Sequence, residues 1–262
     1  MRKILIIAAV LIGFSFSASA QVNWGMKAGL NISSFSGFGE YDRTWRGADW
    51  RESQSVEQSS KTGFHVGVNM QYMFTSQAGI ESGLFFSTLG SKTTNTVIYN
   101  EFDYRYWFRR ELTFNPMYLQ LPVQLLYKIN LAQNVYLYPS TGLYFGYGIG
   151  GKIKNKWKRK DNYNFYRNES ASEERNVFGK NFDEEYDEDV EYVNRFDMGL
   201  IAGLTLQISK VTFGIAYQQG LTTFPKRIDV ETSDYSYEGE SAVLPYNSLR
   251  NRNVQISVGF FF

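Results

Sequence analysis

The end of the chain alternates. Val254, Ile256, Val258, Phe260 and Phe262 fall on one face of an extended segment, and Gln255, Ser257, Gly259 and Phe261 fall on the other. Successive side chains of a strand point to opposite sides, so a two-residue period predicts a β-strand with unlike faces. Seven more segments read the same way: Val22–Ile32, Phe64–Tyr72, Ile80–Ser87, Leu119–Ile129, Val135–Tyr147, Asp197–Gln207 and Val211–Gln218. Their apolar faces run for about 9 to 12 residues, close to the length a tilted strand needs to cross a bilayer. The opposite faces are rich in Gly, Asn, Gln and Ser, which relieve crowding inside a narrow barrel. Alternation alone leaves open which face is inside, since a water-soluble barrel would present the reverse polarity.

The connectors favour one orientation. Three are short, at Thr75–Ala78, Asn130–Asn134 and Ser209–Lys210. Four are long, at Ser33–Lys61, Ser91–Asn115, Lys152–Asn194 and Thr222–Asn251, and short and long strictly alternate. Outer-membrane barrels combine short periplasmic turns with long external loops, whereas a soluble ligand-binding barrel has no reason to gather its long loops at one end. The second long connector carries Tyr104, Tyr106 and Trp107 beside Arg109 and Arg110, residue types that act as binding hot spots. The third opens on a basic block, Lys152 to Lys160, and closes on an acidic one, Asp183 to Glu191.

Composition sharpens the picture. The chain holds 19 Tyr, 21 Phe and 23 Gly against 5 Pro, yet its mean hydropathy is −0.34. Only every second residue of a membrane strand meets lipid, so average hydropathy stays low. Arg2 and Lys3, the apolar stretch Ile4–Phe16 and the run Ala18-Ser19-Ala20 form the pattern of a cleaved signal peptide. Residues 1–20 are therefore expected to be a leader and 21–262 the barrel domain. Beyond them no apolar run is long enough for a transmembrane helix. Cysteine is absent, which excludes a lipidated N-terminus, disulfides and thiolate metal sites. The formal charge is +1, or −1 once Arg2 and Lys3 are subtracted, so no global field points to nucleic acid.

By parity, Lys27, His65, Glu81, Lys128, Arg195 and Asp197 face the barrel axis. Eight strands leave room inside only for side chains. The expected arrangement is an ionic network that plugs the lumen and fixes register; the alternative is a narrow path for ions or polar solutes. His65, the single histidine, would be the base of a lipid-active enzyme. No Gly-x-Ser-x-Gly elbow accompanies it, and the expectation is a protein that is not an enzyme. The acidic block could offer oxygens to Ca²⁺ but lacks EF-hand spacing, so a solvated loop balanced by the lysines is expected, with no metal and no cofactor. Gly142, Tyr144 and Gly146 are read as interior filling rather than a ligand pocket.

The segment Met117-Tyr-Leu-Gln-Leu-Pro-Val-Gln-Leu-Leu-Tyr-Lys128 resembles the fourth-strand signature of the PorT-like outer-membrane β-barrel domain family. Trp24-Gly-Met-Lys-Ala-Gly-Leu-Asn31 is similar to that family's first strand, and Arg195-Phe-Asp-Met-Gly-Leu-Ile-Ala-Gly203 to its sixth. The resemblance covers residues 21–262. It implies an eight-stranded antiparallel up-and-down barrel, inserted by the barrel-assembly machinery through its terminal aromatic strand, and one branch of the family is linked to a secretion system. The expectation is an all-β transmembrane barrel in the outer membrane of a Gram-negative bacterium. It is surrounded by outer-membrane lipid and presents external loops to an envelope or secretion-system protein. A narrow channel and a soluble periplasmic barrel holding an apolar ligand are the alternatives.

Overall fold

The computed structural model describes residues 21–37, 41–162, 167–178, 181–183, 188–190, 194–223 and 249–262. The leader, most of the fourth long connector and the side chains of the acidic block lie outside the described residues.

The strands are β1 (Gln21–Ser36), β2 (Tyr41–Arg46), β3 (Trp50–Met73), β4 (Ala78–Thr88), β5 (Ser91–Glu101), β6 (Tyr104–Tyr127) and β7 (Ile129–Ala132). They continue with β8 (Val135–Asp161), β9 (Arg167–Asn176), β10 (Asn181–Asp183), β11 (Glu188–Val190), β12 (Phe196–Ile208), β13 (Val211–Gly220) and β14 (Arg250–Phe261). Twelve form one antiparallel sheet, and β10 and β11 pair separately. Eight close a ring: β1, β3, β4, β6, β8, β12, β13 and β14, each paired with the next and β14 paired back to β1. These eight contain the eight alternating segments of the sequence.

The apolar faces point outward. Met26, Leu30, Val68, Leu84, Leu125, Leu200, Ile215, Ile256 and Val258 are all exposed. Asn31, Asn69, Gln71, Gln120, Gln124, Gln218 and Asn253 are buried. In water this arrangement would put a continuous greasy belt in contact with solvent, whereas in a bilayer the belt meets hydrocarbon and the polar groups meet one another. Exposed aromatics flank the belt. Trp24, Phe74, Tyr127 and Phe262 lie toward the short turns, and Phe64, Tyr147, Phe196 and Tyr217 near the long-connector ends of their strands. Rings of this kind suit the polar–apolar boundary on each side of a membrane.

The long connectors are strand for much of their length. β3 and β6 run for 24 residues each and β8 for 27. Above the ring, β5 fills the place that β4 occupies below, between β3 and β6. With β2 on the far edge of β3 and β9 on the far edge of β8, a wall rises in the order β2-β3-β5-β6-β8-β9. It stands on one side of the ring only; β12, β13, β14 and β1 end near the rim.

Candidate functional site

Three polar clusters fill the lumen. Lys27 on β1 and Glu81 on β4 form an ion pair at 2.6 Å, with side chains 14% and 12% exposed. This pair stands between two small cavities, and both side chains line each of them. The cavity shared with His65, Gln120 and Gln218 is about 50 Å³. The one shared with Gln71, Tyr138 and Phe261 is about 10 Å³. One water needs roughly 10–15 Å³ measured this way, so the first holds a few waters and the second about one. Neither admits a sugar or an amino acid.

His65 meets Asn31 through Nδ1 and Oδ1 at 2.9 Å. Asn31 in turn donates to the Phe64 and Thr88 carbonyls, and Asn253 donates to Gln218 at 3.1 Å. Gly29 makes room for the histidine: a Cβ there would lie 2.7 Å from His65 Cε1 and 2.0 Å from the Ile256 carbonyl. Nearer the long-connector end, Asp197 is buried and accepts from Tyr144 Oη at 3.1 Å, Thr222 Oγ1 at 2.8 Å and Asn251 Nδ2 at 2.8 Å. These contacts tie β8, β12 and β14 together with the residue that follows β13.

Of the six inward candidates, only Lys27 and Glu81 form an ion pair with each other. His65 and Asp197 are satisfied by neutral groups. Lys128 and Arg195 stand at opposite rims, which differs from the single network expected. Lys128 lies one residue past the end of β6 and its ammonium sits 4.0 Å over the Tyr136 ring. Arg195 precedes β12, donates to the Phe178 carbonyl and stacks on that ring at 5.6 Å. Parity places a side chain on a face but not at a height, and both residues sit just beyond a strand end.

Apolar side chains close the external mouth. Phe35, Leu89, Leu112, Phe114, Tyr118, Val177, Phe178 and Leu249 form a buried cluster, with Ile153 packed against it. Phe35 and Phe114 meet edge to face at 5.4 Å, and Tyr118 and Phe178 at 5.7 Å. The sequence reading missed this cluster because its members come from several long connectors, each contributing one or two residues.

The loop candidates all lie on the rising part of β6. Tyr104 packs on Tyr99 at 6.0 Å, Tyr106 lies under Arg159 at 5.3 Å and Trp107 under Lys160 at 5.8 Å. Arg109 pairs with Glu111 at 2.9 Å, and Arg110 donates to Asn155 at 3.0 Å. Tyr99 donates to Glu101 at 2.7 Å, which with its carboxylate surroundings pushes the phenol up to about 12. At the tip of the β5–β6 hairpin, Phe102 has φ 45° and is 79% exposed. Among the described residues, no group of His, Asp or Glu is placed to hold a metal.

A family model described as an outer membrane protein beta-barrel domain matches residues 15–224. The chain belongs to this outer-membrane barrel family. Membership agrees with the outward belt and locates the barrel protein in the outer membrane. No curated protein matches the chain. Among solved structures, the barrel resembles the attachment invasion locus protein Ail of Yersinia pestis. The identity is 12%, with 92% of this chain and 99% of that one covered and a TM-score of 0.34. It also resembles the outer membrane protein OprG of Pseudomonas aeruginosa, at 10% identity, 92% and 95% coverage and a TM-score of 0.30.

Proposed function

We propose that the protein is a non-conducting, non-enzymatic outer-membrane barrel that holds a rigid external wall for contact with another envelope component. The carrying observation is the continuation of β3, β6 and β8 past the lipid-facing belt. The wall is an extension of the barrel strands, so it is positioned by the barrel itself. Its aromatic and arginine side chains, with Phe102 at the tip, supply the residue types that dominate protein contacts. A contact with a secretion-system protein follows the PorT-like resemblance of Met117–Lys128, and insertion through β14 by the barrel-assembly machinery follows the same resemblance. Export by a leader cleaved after Ala20 completes this reading; N-terminal sequencing of the mature protein should begin at Gln21.

A polar lumen with two cavities favours a second reading, a narrow channel. Against it stand the Lys27–Glu81 pair between the cavities and the apolar cluster at the mouth. Planar-bilayer recording on refolded protein separates the two. The plugged barrel predicts no conductance steps; defined steps, abolished by blocking the mouth, would establish the channel instead. Photo-crosslinking from Phe102 and Arg109 in intact cells should yield adducts with another envelope component. Adducts from lipid-belt positions alone would contradict the contact role of the wall.

A further inference from the structure

Strand β6 keeps one alternation along its length near the ring. Leu119, Leu121 and Leu125 are exposed, and Tyr118, Gln120 and Gln124 are buried. Strand β8 does not. Its pairing with β6 steps from Tyr118↔Gly148 to Met117↔Gly150, which leaves Ile149 as the extra residue of a bulge. Gly151, at φ 130°, follows directly. One extra residue shifts a strand's alternation by one, and bulges commonly re-aim side chains in this way.

Below the bulge the odd positions Leu143, Tyr147 and Ile149 face lipid. Above it the outward row is even-numbered: Lys152, Lys154, Lys156, Lys158 and Lys160. They lie opposite Asn115, Thr113, Glu111, Arg109 and Trp107 on the outward row of β6. Without the extra residue, the lysines would point toward the mouth cluster where Ile153 now packs. The bulge therefore sets five lysines on the lipid side of the wall, directly above the lipid-facing stripe of the same strand.

Their charge is only partly balanced. Glu174 takes Lys152 at 3.0 Å and Lys154 at 2.5 Å. Glu111 is already held by Lys92 and Arg109, each at 2.9 Å. Among the described residues, Lys156, Lys158 and Lys160 have no carboxylate partner. Alternate residues of a strand stand roughly 6.6 Å apart, and a row of like charges at that spacing is favourable only when anions lie along it. Lysine supplies a flexible point charge suited to phosphate, and its long stem lets the ammonium reach toward a membrane surface.

We infer that the outward face of β8 above the bulge is a docking strip for the phosphate groups of outer-leaflet glycolipid. The inference rests on the outer-membrane reading above. The test uses the full mature chain in neutral phosphatidylcholine nanodiscs, doped either with lipid A or with the same glycolipid stripped of phosphate. Glycolipid retained by the purified discs is counted by mass spectrometry. Wild type should retain the phosphorylated form at least about tenfold over the dephosphorylated form. K156Q/K158Q/K160Q should lose that retention by on the order of ten- to a hundredfold at low salt, and the corresponding triple Lys→Arg variant should keep it. Equal retention of the two forms by wild type, or unchanged retention by the glutamine variant, would overturn the strip. Capture of a soluble sulfated polysaccharide without preference for lipid phosphate would overturn it as well, in favour of a soluble polyanion. Failure of wild type to insert into neutral bilayers would instead overturn the membrane reading beneath it, so the two failures are distinguishable.

Discussion

Replacing Glu81 by glutamine leaves the Lys27 ammonium inside the barrel with a neutral partner. At the 2.6 Å separation of the pair, the Coulomb attraction is about 6 kcal/mol at an effective dielectric of about 20. Most of that offsets the cost of bringing both charges out of water. What the substitution exposes is the uncompensated charge, and breaking a buried pair from one side typically costs about 3–5 kcal/mol. The neighbouring cavity of about 50 Å³ can hold a few waters near Lys27, which argues for the lower end, about 3 kcal/mol. Removing Lys27 alone, as K27M, should cost a similar amount. The double variant K27M/E81L removes both charges and should lie within about 1 kcal/mol of wild type. Urea titration of the refolded barrel in vesicles, followed by tryptophan fluorescence, reads this directly. With slopes of about 1–3 kcal/mol per molar urea, the single variants should shift the midpoint by roughly 1–3 M. A shift under about 0.5 M for E81Q, or a double variant as weak as the sum of the singles, would refute the reasoning.

Three further predictions follow from the same geometry. Gly151→Ala places a Cβ 2.2 Å from the Asn115 carbonyl at φ 130°, so it should cost about 1–3 kcal/mol; unchanged stability in the same titration would show that the bulge is not what the backbone requires there. Asp197→Ala strands three donors, from Tyr144, Thr222 and Asn251, and should cost at least about 2 kcal/mol, read as a lower urea midpoint; a loss below about 0.5 kcal/mol would contradict the knot. Glu111 is held below its ordinary value near 4.5 by the Lys92 hydrogen bond and then by Arg109, and Glu174 by Lys154 and Lys152. A depressed carboxyl contributes stability above its unfolded pKa and loses it as pH falls through the folded one. The wall should therefore loosen below about pH 4.5 while the ring persists, and amide exchange that stays equally slow in β5 and β9 from pH 7 to pH 3 would rule this out.

The ring was legible in the sequence because each crossing strand pairs an uninterrupted apolar row with a small, polar one. Connector lengths then supplied the ends. The wall was less legible, although its signal was present: Lys152 to Asp161 alternates lysine with Ile153, Asn155, Trp157 and Arg159. That segment looks like a basic block when only charge is counted, and like a strand when every second residue is read. The bulge at Ile149 breaks the phase between this segment and Tyr147, so a single alternation does not extend across it. The lumen clusters were half legible. Parity brought Lys27, Glu81, His65 and Asp197 to the axis, but partners such as Asn31, Thr222 and Asn251 are fixed by register between distant strands. Lys128 and Arg195 fell outside because height along the barrel is not written in a two-residue period. The mouth cluster depends on how four connectors fold over one opening, and no local pattern encodes that.

The outward direction of the apolar rows can be measured directly. The chain has no cysteine, so a cysteine introduced singly at each position from 254 to 260 carries a spin label without competition. Contact with molecular oxygen dissolved in the lipid, relative to a water-borne nickel chelate, should peak at 256, 258 and 260 and dip at 255, 257 and 259. A flat profile, or peaks on the opposite set, would mean that these strands do not show their apolar side to hydrocarbon.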